Sequence, residues 1–497
     1  MTDEALSISI VAMLDNISSI ATDAQLFDIV EECDKEKNEI AQPLHIAIIG
    51  QSNTGKSTLL NALLKKYIVP TGDVVLTYNV NYLRHVKQSD KQIEEVKIYL
   101  KNGDVMFKDL SYLNALLDRT NTDLEELRTS VEWIEVFIEL DALKHIDLID
   151  TPGLGSFFEK DAENTISLLK SEEHRPDVIA YLATTEFKET DIQPIQDFQK
   201  RISGKQKRMN AMNTIAIFTR CDSFIKEVGE DYLPIAQRII EDKHTKFPEF
   251  RFAFSRTFAI SALYAQGAPM MMQKDFDKLR IFAADETCSR AFKTRERFLS
   301  TDKPAIASAF FNNLEREYFA DKLGFDTIQY SIWYLQKNPQ CSIDDLRKEL
   351  IRYSNVSEVE DYIFQNYGKS AKFYKATSRL PLFRHKIEMM RHKVNPEYIF
   401  HIDNIISQID GLLKKLYDEF LILSIKDDYY SKASYFDTGE WELFVNTLDF
   451  MNGKSNTTKE KLMQQWKLKL DIFHLMGDIK AIEATDIIIN HLKSDTI

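Results

Sequence analysis

Apolar positions recur every three or four residues at the start of the chain. Leu6, Ile10, Leu14, Ile17 and Ile20 share one helical stripe, which predicts helix over residues 4–38, stopping near Gln42-Pro43. The pattern then changes. Residues 44–49, Leu-His-Ile-Ala-Ile-Ile, form a short apolar run ending in a glycine loop, as a buried parallel strand does. Similar runs at 96–100, 131–140, 146–149, 178–182, 215–218 and 258–260 predict further strands, with helical patterns between several of them. Alternating strands and helices predict an α/β fold with a mostly parallel sheet and helices on both faces.

After residue 264 the strand pattern fades. Residues 265–350 are mixed, helix-leaning and rich in Phe. From 375 onward the pattern is helical. Ile402, Ile405, Ile409, Leu412, Leu416 and Leu423 keep a heptad-like seam. Residues 459–493, with Leu462, Trp466, Leu470, Phe473 and Ile479, predict another helix or helix pair.

Composition narrows the class. A chain of 497 residues suggests two to four domains, at roughly 100–200 residues each. Few glycines and prolines suit long helices. The net charge of -14 argues against general nucleic-acid binding, which needs clustered Lys and Arg. Cys33, Cys221, Cys288 and Cys341 show no CxxC pairing, so neither a zinc site nor a disulfide framework is expected, and a reduced, cytoplasmic setting fits. The opening MTDEALSISI lacks the basic start of a signal peptide. No uninterrupted apolar run reaches the ~18 residues of a membrane span, so any membrane contact is expected to be peripheral.

The chemistry concentrates after the first strand. Gly50-Gln51-Ser52-Asn53-Thr54-Gly55-Lys56-Ser57 matches GxxxxGK[ST], and Thr58 continues into a helical run. In such a loop, backbone N–H groups wrap phosphates, Lys56 reaches the β- and γ-phosphates, and the Ser57 hydroxyl ligates Mg²⁺. The helix N-terminus adds a favourable dipole. Asp150-Thr151-Pro152-Gly153 follows an apolar strand; there Asp150 can hold Mg²⁺ through water and the Gly153 N–H can sense the γ-phosphate. Thr219-Arg220-Cys221-Asp222 resembles the [NT]KxD element that reads guanine. Asp222 would accept from N1–H and the exocyclic amine, a donor pair adenine lacks. Arg220 stands where Lys is usual, and its stem can cover the base. Ser261-Ala262-Leu263 resembles the loop that touches guanine O6 by backbone N–H.

Two neighbouring stretches resemble the bacterial branch of the dynamin-like GTPases. Residues 69–80, VPTGDVVLTYNV, look like the family's switch I segment, and Thr77 falls on the threonine that closes over Mg²⁺ and the γ-phosphate. Residues 150–156, DTPGLGS, followed by Pro176-Asp177-Val178-Ile179-Ala180-Tyr181, match the second stretch. Leu154 occupies the place where Ras-type GTPases carry a water-orienting Gln. The dynamin P-loop Gln falls on Ser52 here, with Gln51 one residue earlier, so Ser52 is a candidate catalytic residue beside Lys56, Thr77 and Gly153. Ser354-Asn355-Val356 resembles the start of the last GTPase-domain helix.

The resemblance implies three parts. Residues 1–40 would be a helix packing on a bundle. Residues 41–375 would be a dynamin-type GTPase domain with 265–350 as an insertion, and 376–497 a helical bundle or stalk. It implies GTP and GDP as ligands with Mg²⁺, self-association through the GTPase domain as a homodimer or larger, and peripheral membrane contact. The aromatics of residues 427–436, with Lys432, could enter a lipid interface, anchor a partner or tuck into the bundle, and the adjacent Asp427 and Asp428 disfavour anionic lipid. A different reading is a regulatory switch, similar to Era-like or TrmE-like GTPases, or a low-turnover nucleotide sensor acting through a protein partner. Thr219 to Asp222 disfavour an ATPase.

Overall fold

The computed structural model describes residues 3–69, 80–86, 95–117, 122–153, 165, 167–169, 171, 175–184, 193–203, 211–247, 250, 253–284, 294–299, 313–430, 435–451 and 453–493. Nine strands form one sheet: β1 Leu44–Gly50, β2 Val80–His85, β3 Glu95–Leu100, β4 Val105–Asp109, β5 Val131–Ile138, β6 Ile146–Asp150, β7 Val178–Ala183, β8 Thr214–Phe218 and β9 Arg256–Ala259. Their order is β4-β3-β5-β2-β6-β1-β7-β8-β9. From β6 to β9 all neighbours are parallel. Beyond β6 the sheet is mixed: β2 runs antiparallel to β6 and parallel to β5, and β3 runs antiparallel to both β5 and β4.

The central strands β1, β6, β7 and β8 are buried at every position, so they read as largely apolar runs, interrupted by His45 in β1 and Asp147 in β6. β2 and β4 were not legible that way. β2 interleaves Asn81 and Arg84 with apolar residues, and β4 is a half-exposed edge strand.

The helices among these residues include α1 Asp3–Asp23, α2 Phe27–Ala41, α3 Lys56–Leu64, α4 Gln193–Ser203, α5 Leu233–Lys246, α6 Ala262–Met270, α7 Gln273–Ala284, α8 Asn313–Leu323, α9 Phe325–Lys337, α10 Ile343–Ser354, α11 Val356–Asp361, α12 Ala371–Arg391, α13 Ile399–Tyr430, α14 Thr438–Met451, α15 Lys459–Met476 and α16 Ile479–Lys493. One sheet face, through Ala47, Ile49, Tyr181 and Phe218, shares a core with Phe276, Phe282, Phe298, Phe319 and Phe325. The buried phenylalanines of the 265–350 segment are therefore core residues of the sheet domain. The other face, through Ile46, Ile48, Leu148 and Ile217, is equally buried.

By compactness the chain divides into Met1–Val11 with Lys35–Arg379, and Ala12–Asp34 with Leu380–Ile497. In the first unit the Asp3 carboxylate accepts from the backbone N–H groups of Lys372 and Phe373, near the start of α12. Lys372 Nζ donates to the carbonyls of Ile40, Ala41 and Gln42 at the end of α2. In the second unit Asn16 donates to Gln408 at 2.9 Å and Lys386 pairs with Glu32 at 2.8 Å. Helices from both ends of the sequence thus pack together.

Three helical expectations change in detail. The N-terminal stripe is Leu6, Ile10, Leu14, Ile17 and Ala21, with Ile20 only half-buried. In α13, Leu413 is buried and Leu412 is half-buried, while Leu423 is exposed. A straight helix has 3.6 residues per turn and drifts off a strict heptad. Its last turns instead bury Ile422 and Ile425 in a second core with Phe436, Phe444, Trp466 and Phe473.

Of the aromatics in residues 427–436, Tyr429, Tyr435 and Phe436 are packed. Phe436 is buried, and Tyr429, Tyr435 and Phe436 lie 5.4, 5.2 and 4.9 Å from Trp441. Residues 431–434 lie outside the described part. Conversely, α1 is long and apolar enough to cross a membrane, with a mean hydropathy of 1.5 over an 18-residue window. Scattered polar residues such as Ser7, Asp15 and Asn16 interrupt it, so it contains no long unbroken apolar run.

Candidate nucleotide site

The loop after β1 turns through two left-handed residues, Asn53 at φ 61° and Gly55 at φ 87°, before α3 begins at Lys56. Asn tolerates this conformation and glycine adopts it without strain. The Thr54 hydroxyl donates to the Gln51 carbonyl at 2.8 Å. Lys56 folds back over the loop, its Nζ donating to the carbonyls of Gln51 at 2.9 Å and Gly50 at 3.3 Å. Burial pushes the Lys56 ammonium down to about 8, while the charge of Asp150 pulls it back up. Ser57 and Thr58 occupy the first turn of α3, half-buried.

Asp150 ends β6 and is fully buried. It stands opposite Ile48 of β1 on one side and Asn81 of β2 on the other. The Thr151 hydroxyl donates to the Ile48 carbonyl at 2.8 Å, and Thr165 donates to the Pro152 carbonyl at 2.7 Å. Gly153 lies against the P-loop: a Cβ there would come within 2.5 Å of Ser52 Oγ and 2.7 Å of Ser52 N. Ser52 Oγ is buried without a hydrogen-bond partner among the described residues. Thr77 and Leu154 to Ser156 lie outside those residues.

On the far side, the Thr219 hydroxyl donates to the Thr54 carbonyl at 2.6 Å. Arg220 takes a left-handed φ of 56° and is exposed. The Asp222 carboxylate accepts from the Ser261 hydroxyl, and from Tyr264 Oη at 3.4 Å. Burial raises its pKa above the ordinary carboxylate value, and the two hydroxyls and Arg220 oppose the rise. The Ser261 N–H donates to the Ser354 carbonyl at 2.9 Å, and Asn355 Nδ2 donates to the Ala259 carbonyl at 3.0 Å, so the start of α11 braces this loop. Ala262 opens α6.

The loops singled out from sequence thus gather at the C-terminal ends of β1, β6, β8 and β9, where open α/β sheets bind ligands. Tyr264 and Asn81 were missed. Tyr264 lies just past the Ser261-Ala262-Leu263 signal, and Asn81 lies on a strand that sequence patterning did not find.

Residues 46–221 match the model of the dynamin family. The match covers about a third of the chain, and over that part the chain is similar to the dynamin family. It is 30% identical over 154 residues to dynamin-like protein 2 of Campylobacter jejuni, covering 31% of this chain and 22% of that protein. It is 23% identical over 411 residues to the isoniazid-induced protein IniC of Mycobacterium tuberculosis, covering 80% of this chain and 77% of that protein. A solved, oligomerised bacterial dynamin pair, described as sensing and tethering membranes, is 17% identical across the chain with a TM-score of 0.32, a likeness too slight to carry weight. The α/β sheet domain and the helical region expected from sequence are both present, and the matched residues 46–221 lie within the former.

Proposed function

We propose that this chain binds GTP between the P-loop and the Asp222 loop, hydrolyses it, and uses the cycle to move its helical region. The observation that carries the reading is the Thr219–Thr54 hydrogen bond, which holds the guanine-reading loop against the phosphate loop. Backbone N–H groups from Gln51 to Thr58 would cradle the phosphates. Lys56, relieved of its loop carbonyls, would swing to the β- and γ-phosphates. Ser57 and Asp150 offer the hard oxygen donors that suit Mg²⁺, and Thr77 would complete that set. When bound, Mg²⁺ supplies charge neutralisation at the β- and γ-oxygens. Gly153 would report the γ-phosphate by its N–H. Asp222, held by Ser261 and Tyr264, would take the two guanine donors.

The remaining steps rest on family resemblance: two GTPase domains pair across the nucleotide, and the helical region acts on a membrane or a protein assembly from the cytoplasmic side. GTP turnover measured across a protein concentration series tests this, with Lys56→Ala as control. Specific activity rising steeply with concentration, and lost in the variant, supports it. Flat, slow turnover with intact GTP binding overturns it.

A second reading is a low-turnover sensor or switch acting through a protein partner. Ser52 favours it, because a hydroxyl packed against Gly153 has no amide with which to orient water.

A further inference from the structure

β2 brings an unexpected side chain to the phosphate end of the sheet. Asn81 is 2% exposed, and its Oδ1 has no hydrogen-bond partner among the described residues. It stands directly opposite Asp150 in the antiparallel β2–β6 ladder. Opposed residues in such a ladder point to the same sheet face, with Cβ atoms about 4.5–5.5 Å apart. Ile48, on the other flank of Asp150, and the opposed pair Leu83 and Leu148 share that face, and all three are fully buried aliphatics. The residues on either side of Asn81, Val80 and Tyr82, turn into the opposite core. A carboxamide surrounded by aliphatic side chains is costly unless its oxygen is used. The register sets Asn81 beside Asp150, which is close enough to Lys56 of the P-loop for their charges to interact.

We propose that Asn81 is a positioning residue of the Mg²⁺–nucleotide site. Its Oδ1 accepts a hydrogen bond from a water carried by Asp150, and so fixes how Asp150 presents its oxygens. This rests on the reading of Asp150 as the metal-side carboxylate. It adds a residue that no P-loop or DTPG pattern contains. Partners of this kind orient a ligating carboxylate without touching the metal, and their loss typically lowers metal affinity about 10–100-fold.

The test uses the full chain and a fluorescent GTP analogue, titrated with MgCl₂ and in EDTA. Asn81→Leu keeps the branched outline, at a larger volume, and removes the acceptor; Asn81→Asp keeps the acceptor. Thermal melts report folding. In Asn81→Leu the Mg²⁺ concentration for half-maximal tight binding is expected to rise about tenfold. Affinity in EDTA should stay at the wild-type value, and Asn81→Asp should sit at or below the wild-type midpoint. A role in packing alone would change the melt and the EDTA affinity and leave the midpoint in place, which overturns the proposal. If Asn81→Leu does not fold, Asn81→Ser is judged by the same midpoint. A wild-type chain whose GTP affinity ignores Mg²⁺ overturns the reading of Asp150 and this proposal together. A Mg²⁺-dependent wild type with an unmoved Asn81→Leu overturns this proposal alone.

Discussion

The hydroxyl of Thr219 donates to the main-chain oxygen of Thr54 at 2.6 Å, across 165 positions of sequence. This bond couples the loop proposed to read the base to the loop proposed to hold the phosphates. Thr219→Val keeps the shape and removes the donor, leaving a buried carbonyl short of a partner at a cost of ~1–3 kcal/mol. Affinity for GTP and GDP is expected to fall together, by roughly tenfold. Calorimetry on both nucleotides checks this, and an unchanged Kd would show that the coupling contributes nothing to binding.

Lys56 gives the site a pH dependence. Unfolded, its ammonium titrates near 10.5; folded, burial brings it to about 8. Between these values the unfolded chain binds a proton that the folded chain has lost, so this residue makes folding more favourable as pH rises through that window. Triphosphate binding has the opposite slope, because it needs the charged form. GTP affinity is expected to be full below about 8 and to decline above it, approaching tenfold per unit for one linked proton. Lys56→Ala should bind weakly with no such slope, and a wild-type profile flat across that range would be the contrary result.

Asp222→Asn replaces an acceptor with a group that also donates. Guanine N1–H and its amine then lose their charged partner, while the extra carbonyl of xanthine gains a donor. GTP affinity should fall about a hundredfold or more, and XTP binding should rise. Competition between the two nucleotides for one fluorescent probe measures the exchange; a variant that still prefers GTP would remove Asp222 from the base site.

Gly153→Ala places a Cβ where Ser52 N and Cα already stand, at 2.7 and 2.8 Å. The P-loop and the Asp150 turn would have to separate. Turnover should drop by at least tenfold, about 1.4 kcal/mol or more. Because the conflict is with backbone atoms, Gly153→Ala combined with Ser52→Gly should stay impaired. Recovery in the double variant would locate the conflict at the hydroxyl instead.

Lys375 and Asp177 form a fully buried ion pair at 3.0 Å, and Lys375 also donates to the Pro43 carbonyl. Burial pushes the Asp177 carboxyl up, but Lys375 and His45 outweigh it and hold the group below its ordinary range. The stability this supplies is present above the ordinary carboxylate pKa and is lost as pH falls through the folded value. Lys375→Met should cost ~3–5 kcal/mol by stranding the carboxylate. Adding Asp177→Asn should recover much of that, as read from urea midpoints.

Much of the phosphate site was legible because its chemistry is local. Gly50 to Ser57 carry their own loop geometry in consecutive residues, and Asp150 and Thr219 each follow an apolar strand that marks a sheet end. The strands that failed to show were those whose burial is set by neighbours. β4 has only one neighbouring strand, and β2 carries Asn81 into the interior against its composition. The stripe along α13 holds at Ile402, Ile405, Ile409 and Leu416 and fails at Leu412 and Leu423, because a straight helix drifts off a strict heptad.

The sequence by itself determined the class of fold, the order of the loop motifs, and the residues proposed to meet phosphate and base. These depend on periodicity and on short motifs, which act over a few residues. Only the tertiary structure decided that the buried phenylalanines from Phe276 to Phe325 belong to the core of the sheet domain and that Phe436 is packed rather than free. It alone set Asn81 beside Asp150 and Tyr264 beside Asp222. Those relations arise from strand register and helix docking between distant segments, and the free energy that selects them is spread over many side chains, none of which carries a local signature.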